Sequence, residues 1–339
     1  MLPRRVAEAT GELAPPLTLS LVLRWNGTEV KMWDVVVVGA GPAGLSAALV
    51  FGRSRRRTLV LGHGAPRNAP ADAAHNLFTR DGTPPLELLR TARDQLRPYD
   101  GVELRDAEAV EARREDDVFV VRDATGGTHR ARAVLLAGGV EDLLPPIDGM
   151  RRLWGRSVLH CPYCHGWEVR DRRLAVLGDA HTGPELAQLV RGWSRDLMLC
   201  TDGAVLADED RARLARAGVG VREARLVALE GGDALERLVF ADGSRIERDA
   251  LFVRPPQRVR GAVAAALGCA LTEDGLLRVG DDWQTTVPGV YAAGDAASRM
   301  QQVVIAAASG TAAAIHLNRA FLAEDFAAAA REPLATAGA

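Results

Sequence analysis

An α/β chain with two Rossmann-like dinucleotide-binding units is predicted from three observations. A strand–glycine turn–helix unit opens at Asp34. A second unit of the same form opens at Leu174. A late apolar strand then ends in Gly294-Asp295 ahead of a long apolar helix. Strands and helices alternating around glycine turns are the pattern of a doubly wound parallel sheet. The 339 residues correspond to about two domains at roughly 150 residues each. With 47% hydrophobic and 25% charged residues the chain has an ordinary globular composition. Its 42 Lys and Arg against 44 Asp and Glu leave no basic field for nucleic acid or an anionic membrane. No apolar run reaches the about 18 residues that a membrane-crossing helix needs.

Residues 1–31 read as an N-terminal extension, with Met32 the natural beginning. The apolar stretch Leu17–Leu23 is interrupted by Thr18 and Ser20 and lacks the small-residue cleavage site of a secretory leader, so a cytoplasmic protein is expected. Asp34–Val38 reads as a buried strand, Leu45–Phe51 as the helix after the turn, and Thr58–Leu61 as the next buried strand. An amphipathic helix is expected over 86–97, short strands over 102–134, and a strand over Val134–Ala137. Pro145-Pro146 marks a linker. In the second unit Leu174–Leu177 is the strand, Glu185–Trp193 the helix and Leu197–Cys200 the following strand. Strands and turns return over 226–253, Gly289–Ala293 is the late strand, and a helix covers about 302–321 before an Ala-rich, frayed end.

Gly39-Ala-Gly41-Pro42-Ala43-Gly44 lies between the first strand and its helix. In that setting the first glycine permits the turn, the second lets backbone approach a pyrophosphate, and the third allows close helix–strand packing. The helix N-terminus then faces the phosphates. The acid that usually holds a ribose hydroxyl about 20 residues on is missing, because Leu61 is followed by Gly62-His63-Gly64. Val290-Tyr-Ala-Ala-Gly294-Asp295 supplies the second half of a flavin site. Asp295 can accept hydrogen bonds from the ribityl chain, and the helix beginning near Gln302-Val303 aims its positive end at the ring. FAD is the cofactor these motifs predict.

His160-Cys161-Pro-Tyr-Cys164-His165 carries the reactive chemistry. A two-residue spacer brings both sulfurs within disulfide reach, and such pairs commonly hold one thiol of depressed pKa. His165 can exchange protons with a thiol near neutral pH. A structural zinc site and inert buried thiols are the competing readings. Cys200 and Cys269 read as core residues. Trp154, Trp167 and Trp193 read as packing residues, with Trp167 close enough to line the dithiol pocket. The basic run Arg53–Arg57 reads as a solvated helix end.

The second turn is Gly178-Asp179-Ala180-His-Thr-Gly183. The Cβ of Ala180 intrudes where a pyrophosphate would approach, and Asp179 adds negative charge beside it. Thr201-Asp202-Gly203 offers no Arg or Lys to a 2′-phosphate, although Asp202 can accept a bond from the ribose of NADH. A degenerate nucleotide site is expected.

Together these residues resemble the low-molecular-weight thioredoxin reductase family from about Trp33 to Leu322. The segments that carry the match are GAGPAG, Pro66-Arg-Asn68 through Arg80-Asp-Gly82, the mid-chain CxxC and YAAGDAA. The resemblance implies a thioredoxin reductase-like homodimer with one FAD per chain and a discontinuous FAD domain. The parts would be 32–148 and 251–325, interrupted by a dithiol-bearing, pyridine-nucleotide-like domain at 149–250, with a tail at 326–339. It implies that Cys164 packs against the flavin while Cys161 meets the substrate. It also implies that Asn76 contacts the flavin, that Asp295 binds the ribityl chain, and that Gln302 and Val303 lie beside the ring. The family's reductases carry an Asp where His165 stands, and a GxGxxA turn with basic residues for NADPH. CPYCHG looks more like the thioredoxin-reductase-like dithiol oxidases, which close disulfides in small sulfur-containing metabolites and pass electrons through FAD to oxygen. The expected function is therefore that of an FAD-dependent dithiol oxidase acting on a small-molecule dithiol. The rivals are a pyridine-nucleotide- or ferredoxin-fed disulfide reductase, and a non-catalytic redox-sensing or zinc-binding module.

Overall fold

A computed structural model describes residues 22–25 and 28–331, with side chains from Met32 onward. The first sheet is built from β2 (Thr28–Val38), β3 (Thr58–Gly62) and β4 (Val102–Asp106) on one side. On the other side lie β5 (Ala109–Glu115), β6 (Val118–Asp123) and β7 (Thr128–Leu136). Its order is β4-β3-β2-β7-β6-β5, with β1 (Val22–Trp25) added antiparallel to the start of β2. Strands β2, β3 and β4 are parallel, and β5–β6–β7 form an antiparallel meander. Helix α1 (Pro42–Arg53) follows β2, and α2 (Pro85–Asp94) precedes β4.

The valine run of β2 is explained by burial on both faces, as for inner strands of parallel sheets. Val35 and Val37 pack with Ala47 and Phe51 of α1. Val36 points the other way, against Leu59, Leu61 and Val134.

After β8 (Val140–Asp142) and a short helix α3 (Met150–Leu153) the chain enters a second sheet of order β12-β11-β10-β16-β9. Its strands are β9 (Val158–Leu159), β10 (Leu174–Leu177), β11 (Leu197–Cys200), β12 (Val219–Arg222) and β16 (Ala250–Val253), all parallel. Helices α4 (Pro162–His165), α5 (Thr182–Val190) and α6 (Asp208–Arg216) connect them. A meander of β13 (Leu226–Glu230), β14 (Arg237–Phe240) and β15 (Arg245–Glu247) lies beside it.

The chain then returns. Strand β17 (Gln257–Val259) pairs antiparallel with β8, so both crossings between the sheets run side by side. Helix α7 (Val263–Ala266) follows. Strand β18 (Val290–Ala292) then joins the first sheet parallel to β7 through Val290↔Val134. The first domain is therefore discontinuous. Helix α8 (Val303–Ala329) closes it, packing on α1 where a Cβ on Gly310 would lie 2.0 Å from the Ala43 carbonyl oxygen.

Three local expectations are corrected. The first strand starts at Thr28, inside the stretch read as an extension, and pairs with Val22–Trp25 through Val22↔Lys31; residues 1–21 lie outside the described part. Helix α8 runs to Ala329 rather than ending near 321, because alanine is the strongest helix former; residues 332–339 lie outside the described part. The run Arg53–Arg57 is not simply a solvated helix end. Arg56 donates to Asn318 (2.7 Å) and Asp325 (2.7 Å) and lies over the Phe321 ring, tying α1 to α8.

Candidate active site

One cavity of about 530 Å³ runs from the first glycine turn to the dithiol, within the range of small-molecule and cofactor sites. The three glycines divide the work as their spacing predicts. Gly39 has φ +115°, and a Cβ there would sit 2.3 Å from the Ala137 carbonyl oxygen. Gly44 would meet the Gly39 oxygen at 1.9 Å, so it permits helix–strand contact. A Cβ on Gly41 meets nothing within 4 Å, so this face is open to the cavity. Gly41 caps α1, with Pro42 and Ala43 in the first turn, and the free N–H groups there favour an anion. An FAD pyrophosphate fits this cradle.

The missing ribose-binding acid has a steric reason. A Cβ on Gly62, at the end of β3, would lie 2.2 Å from the Cβ of Ala40, so the turn leaves no room for a side chain. His63, Arg93 and Glu108 are among the polar residues that line the cavity.

At the other end Gly294 takes φ +73° and donates to Ser309 Oγ at 2.9 Å. Asp295 follows in a short 3₁₀ turn and lines the cavity. Burial raises its pKa, while Arg67 opposes that shift. Gln302 caps α8 and Val303 is its first residue; both line the cavity.

The dithiol enters the same cavity from the second domain. Cys161 caps α4, and Cys164 and His165 lie within that helix. Gln302 donates through Nε2 to Cys161 Sγ (3.4 Å) and Cys164 Sγ (3.2 Å). Asn76, in the left-handed region at φ +63°, donates to the Tyr163 carbonyl (2.8 Å) and lies 3.5 Å from Gln302 Oε1. The site residues expected from sequence are thus brought together by side chains from both ends of the first domain.

The two sulfurs are unequal. The Cys161 sulfur accepts the proton of Cys164 and backbone N–H bonds of Cys164 and Tyr163, which pulls its pKa down to about 7. Cys164, the donor of that shared bond, is pushed up. Cys161 is therefore the first thiolate. Burial lowers the pKa of His165, so its imidazole is neutral at neutral pH, and its Nε2 is buried without a hydrogen-bond partner. Burial, helped by Arg67, lowers His160 to about 4.

Sequence reasoning missed a polar clamp. Arg67 grips Asp142 with both arms of its guanidinium (2.6 and 2.7 Å), and its third nitrogen reaches Gln301 (2.6 Å) and Asp295 (3.3 Å). Gln257 on β17 closes the ring through Asp142 and Gln301. The clamp ties both crossing strands to Asp295. Its members are far apart in sequence, so only the PRN segment itself could have signalled it.

The second turn is closed by its own side chain. Asp179 Oδ1 accepts from the backbone N–H of His181 (2.9 Å) and Thr182 (2.7 Å) and from Thr182 Oγ1 (2.9 Å). These bonds lower its pKa and occupy the helix N-terminus that a pyrophosphate would use. Asp202 is anchored through one oxygen, its Oδ1 accepting from Leu226 N at 2.8 Å, while the residue itself is exposed. Cys200 is buried, and Cys269 lies 3.6 Å from Thr285 Oγ1. Trp193 packs edge-on against Tyr163. Trp167 is not a packing residue: it is exposed, stacked with Arg170 at 3.8 Å.

Residues 33–310 match the pyridine nucleotide-disulphide oxidoreductase family. Thioredoxin reductase tcpT of Claviceps purpurea is 34% identical over 290 residues, covering 82% of this chain and 90% of that protein. Thioredoxin reductase sirT of Leptosphaeria maculans is 33% identical over 318 residues, covering 88% and 97%. The solved structure of HlmI is 40% identical with a TM-score of 0.82, covering 88% of this chain and 95% of that one. The chain belongs to this family, in its thioredoxin reductase-like branch, and is an FAD-binding thiol–disulfide oxidoreductase. No helix among the described residues is long and apolar enough to cross a membrane.

Proposed function

We propose that the protein is an FAD-dependent dithiol oxidase that closes a disulfide in a small-molecule dithiol and uses oxygen as the electron acceptor. The observation that carries this reading is the closed second turn. Asp179 already satisfies the N–H groups at the head of α5, so a nicotinamide dinucleotide would have to displace a bonded carboxylate. Electrons must then enter at the dithiol. We take the working form to be a cytoplasmic homodimer, with a flavin domain of 32–148 and 251–325 around a dithiol domain of 149–250.

In this reading a substrate thiolate attacks the Cys161 sulfur of the Cys161–Cys164 disulfide, and Cys164 departs as the thiolate. The second substrate thiol attacks the mixed disulfide, releasing the oxidised product and leaving both cysteines reduced. FAD, when bound, accepts the electron pair from the cysteines and delivers it to oxygen, giving hydrogen peroxide. Gln302 holds both sulfurs by donating to them, and Asn76 fixes the loop that carries them. His165, neutral through burial, takes the proton that the cysteine pair gives up. Gly39, Gly41, Pro42, Ala43 and Gly44 would hold the pyrophosphate, Asp295 the ribityl chain, and Val303 would lie beside the ring.

Anaerobic mixing tests this. Dithiothreitol should bleach the flavin and NADPH should not; air should then restore the oxidised spectrum with one peroxide per dithiol. Fast bleaching by micromolar NADPH would return the protein to the reductases. That second reading is favoured by one observation, the name thioredoxin reductase carried by tcpT and sirT. It predicts sustained NADH or ferredoxin consumption with a thioredoxin-like protein.

A further inference from the structure

His75 is used by nothing described so far, yet it stands at the dithiol. It lines the same cavity as Cys161, Cys164 and His165 and is the neighbour of Asn76, which bonds the dithiol loop. Both of its ring nitrogens face carboxylates. Nδ1 lies 3.4 Å from Asp81 Oδ2, and Nε2 lies 3.5 Å from Glu168 Oε1. Glu168 is three residues beyond His165, on the dithiol side, whereas Asp81 lies on the first-domain loop, where it also accepts from Asn76 N at 2.8 Å. His75 thus bridges the two domains beside the redox centre. The groups whose electrostatics couple to His165 are Glu168, His75, Asp72 and His160.

Exposure grades outward along these groups. The Nε2 atom of His165 is buried and without a partner. The His75 side chain is 23% exposed, Glu168 41% and Asp81 68%. Exposure thus rises from His165 through His75 to the two carboxylates. Imidazole suits the middle position, since it can take a proton on one nitrogen and release one from the other.

We propose that His75, with Glu168 and Asp81, is the proton outlet of the dithiol site, carrying to solvent the proton that His165 takes from the cysteine pair. The inference rests on the dithiol-oxidase reading above. The balance requires one such proton per turnover. Oxidation of the substrate breaks two S–H bonds and the enzyme S–S bond, forms the product S–S bond, and leaves two protons and two electrons on Cys161 and Cys164. Passing the electron pair to FAD re-forms the enzyme disulfide; one proton accompanies the pair and the other must leave. Oxygen then takes the electron pair, the retained proton and one returned proton to give peroxide. His75 acts through His165 and is a positioning residue for proton traffic.

The test follows proton and flavin together. The wild-type holoprotein, His75→Phe, Glu168→Gln and His165→Asn are mixed anaerobically with dithiothreitol in weak buffer containing a pH indicator dye, over a range of pH. Wild type should release its proton in step with flavin bleaching. His75→Phe should slow both about tenfold, flatten the pH profile and recover on addition of free imidazole. Glu168→Gln should slow them less. Unchanged rate and pH profile in His75→Phe, with His165→Asn impaired, would overturn the outlet while leaving the oxidase reading standing. A slowed His75→Phe that imidazole does not rescue and whose pH profile keeps its wild-type shape would also overturn it, marking His75 as structural. Failure of dithiothreitol to bleach wild type would sink the oxidase reading itself.

Discussion

The two glycine turns, Gly39–Gly44 and Gly178–Gly183, share one architecture and differ in what fills the helix N-terminus. In the first turn a Cβ at the central position, Gly41, would meet nothing within 4 Å, and the N–H groups behind it look into the cavity. In the second, the Asp179 carboxylate sits on the N–H groups of His181 and Thr182 at the head of α5. On the proposed reading, a βαβ unit does not by itself make a nucleotide site. The decisive feature is whether the phosphate position is left empty or is filled by the chain's own anion.

The largest test of this contrast is Gly41→Val. Its side chain would enter the pyrophosphate space, so the purified variant should be folded by circular dichroism yet colourless. Full retention of flavin would dissolve the distinction between the turns. Next comes Cys164→Ser, which leaves both turns untouched. It should purify yellow and lose bleaching by dithiothreitol, placing electron entry at the dithiol and not at the second turn.

A gain-of-function test is smaller. Asp179→Gly combined with Ala180→Gly reopens the second turn. Charge-assisted bonds to phosphate are worth about 1.5–3 kcal/mol each, so NADH affinity by fluorescence titration should rise about tenfold or more. Loss of the capping carboxylate should also cost about 1 kcal/mol of stability, a fall of about 2–4 °C in Tm. An unchanged NADH affinity would show that more than Asp179 and Ala180 closes the site. The smallest effect is on pH dependence. The Cys161 pKa is lowered to about 7, so the deprotonated form dominates above that pH. Iodoacetamide should therefore alkylate reduced Cys161 about tenfold faster at each pH unit up to about 7 and then level off. Gln302→Leu removes a donor to that sulfur and should move the midpoint upward.

Much of this was legible because the chemistry is local. The valine run, the spacing of Gly39, Gly41 and Gly44, and the two-residue gap between Cys161 and Cys164 each fit within one turn of chain. What escaped reading was set by distant partners. Asp202 gave no sign in the sequence that one of its oxygens is held by Leu226 N, 24 positions on. Arg56 looked solvated until Asn318 and Asp325 arrived on α8. The Arg67 clamp joins residues 75 to 234 positions apart.

The side-by-side crossings β8 and β17 bear on how the protein is made. Contacts between residues distant in sequence form slowly, because the intervening chain must first be brought round. The inner sheet contains only residues 158–253, so it can assemble as soon as that stretch leaves the ribosome. The first sheet must wait for Val290–Ala292 to dock on β7, and the cofactor site waits longer still, for Asp295 and Gln302. During synthesis the strands of the dithiol domain are thus complete before Asp295 and Gln302, which line the cavity at the dithiol, have been made.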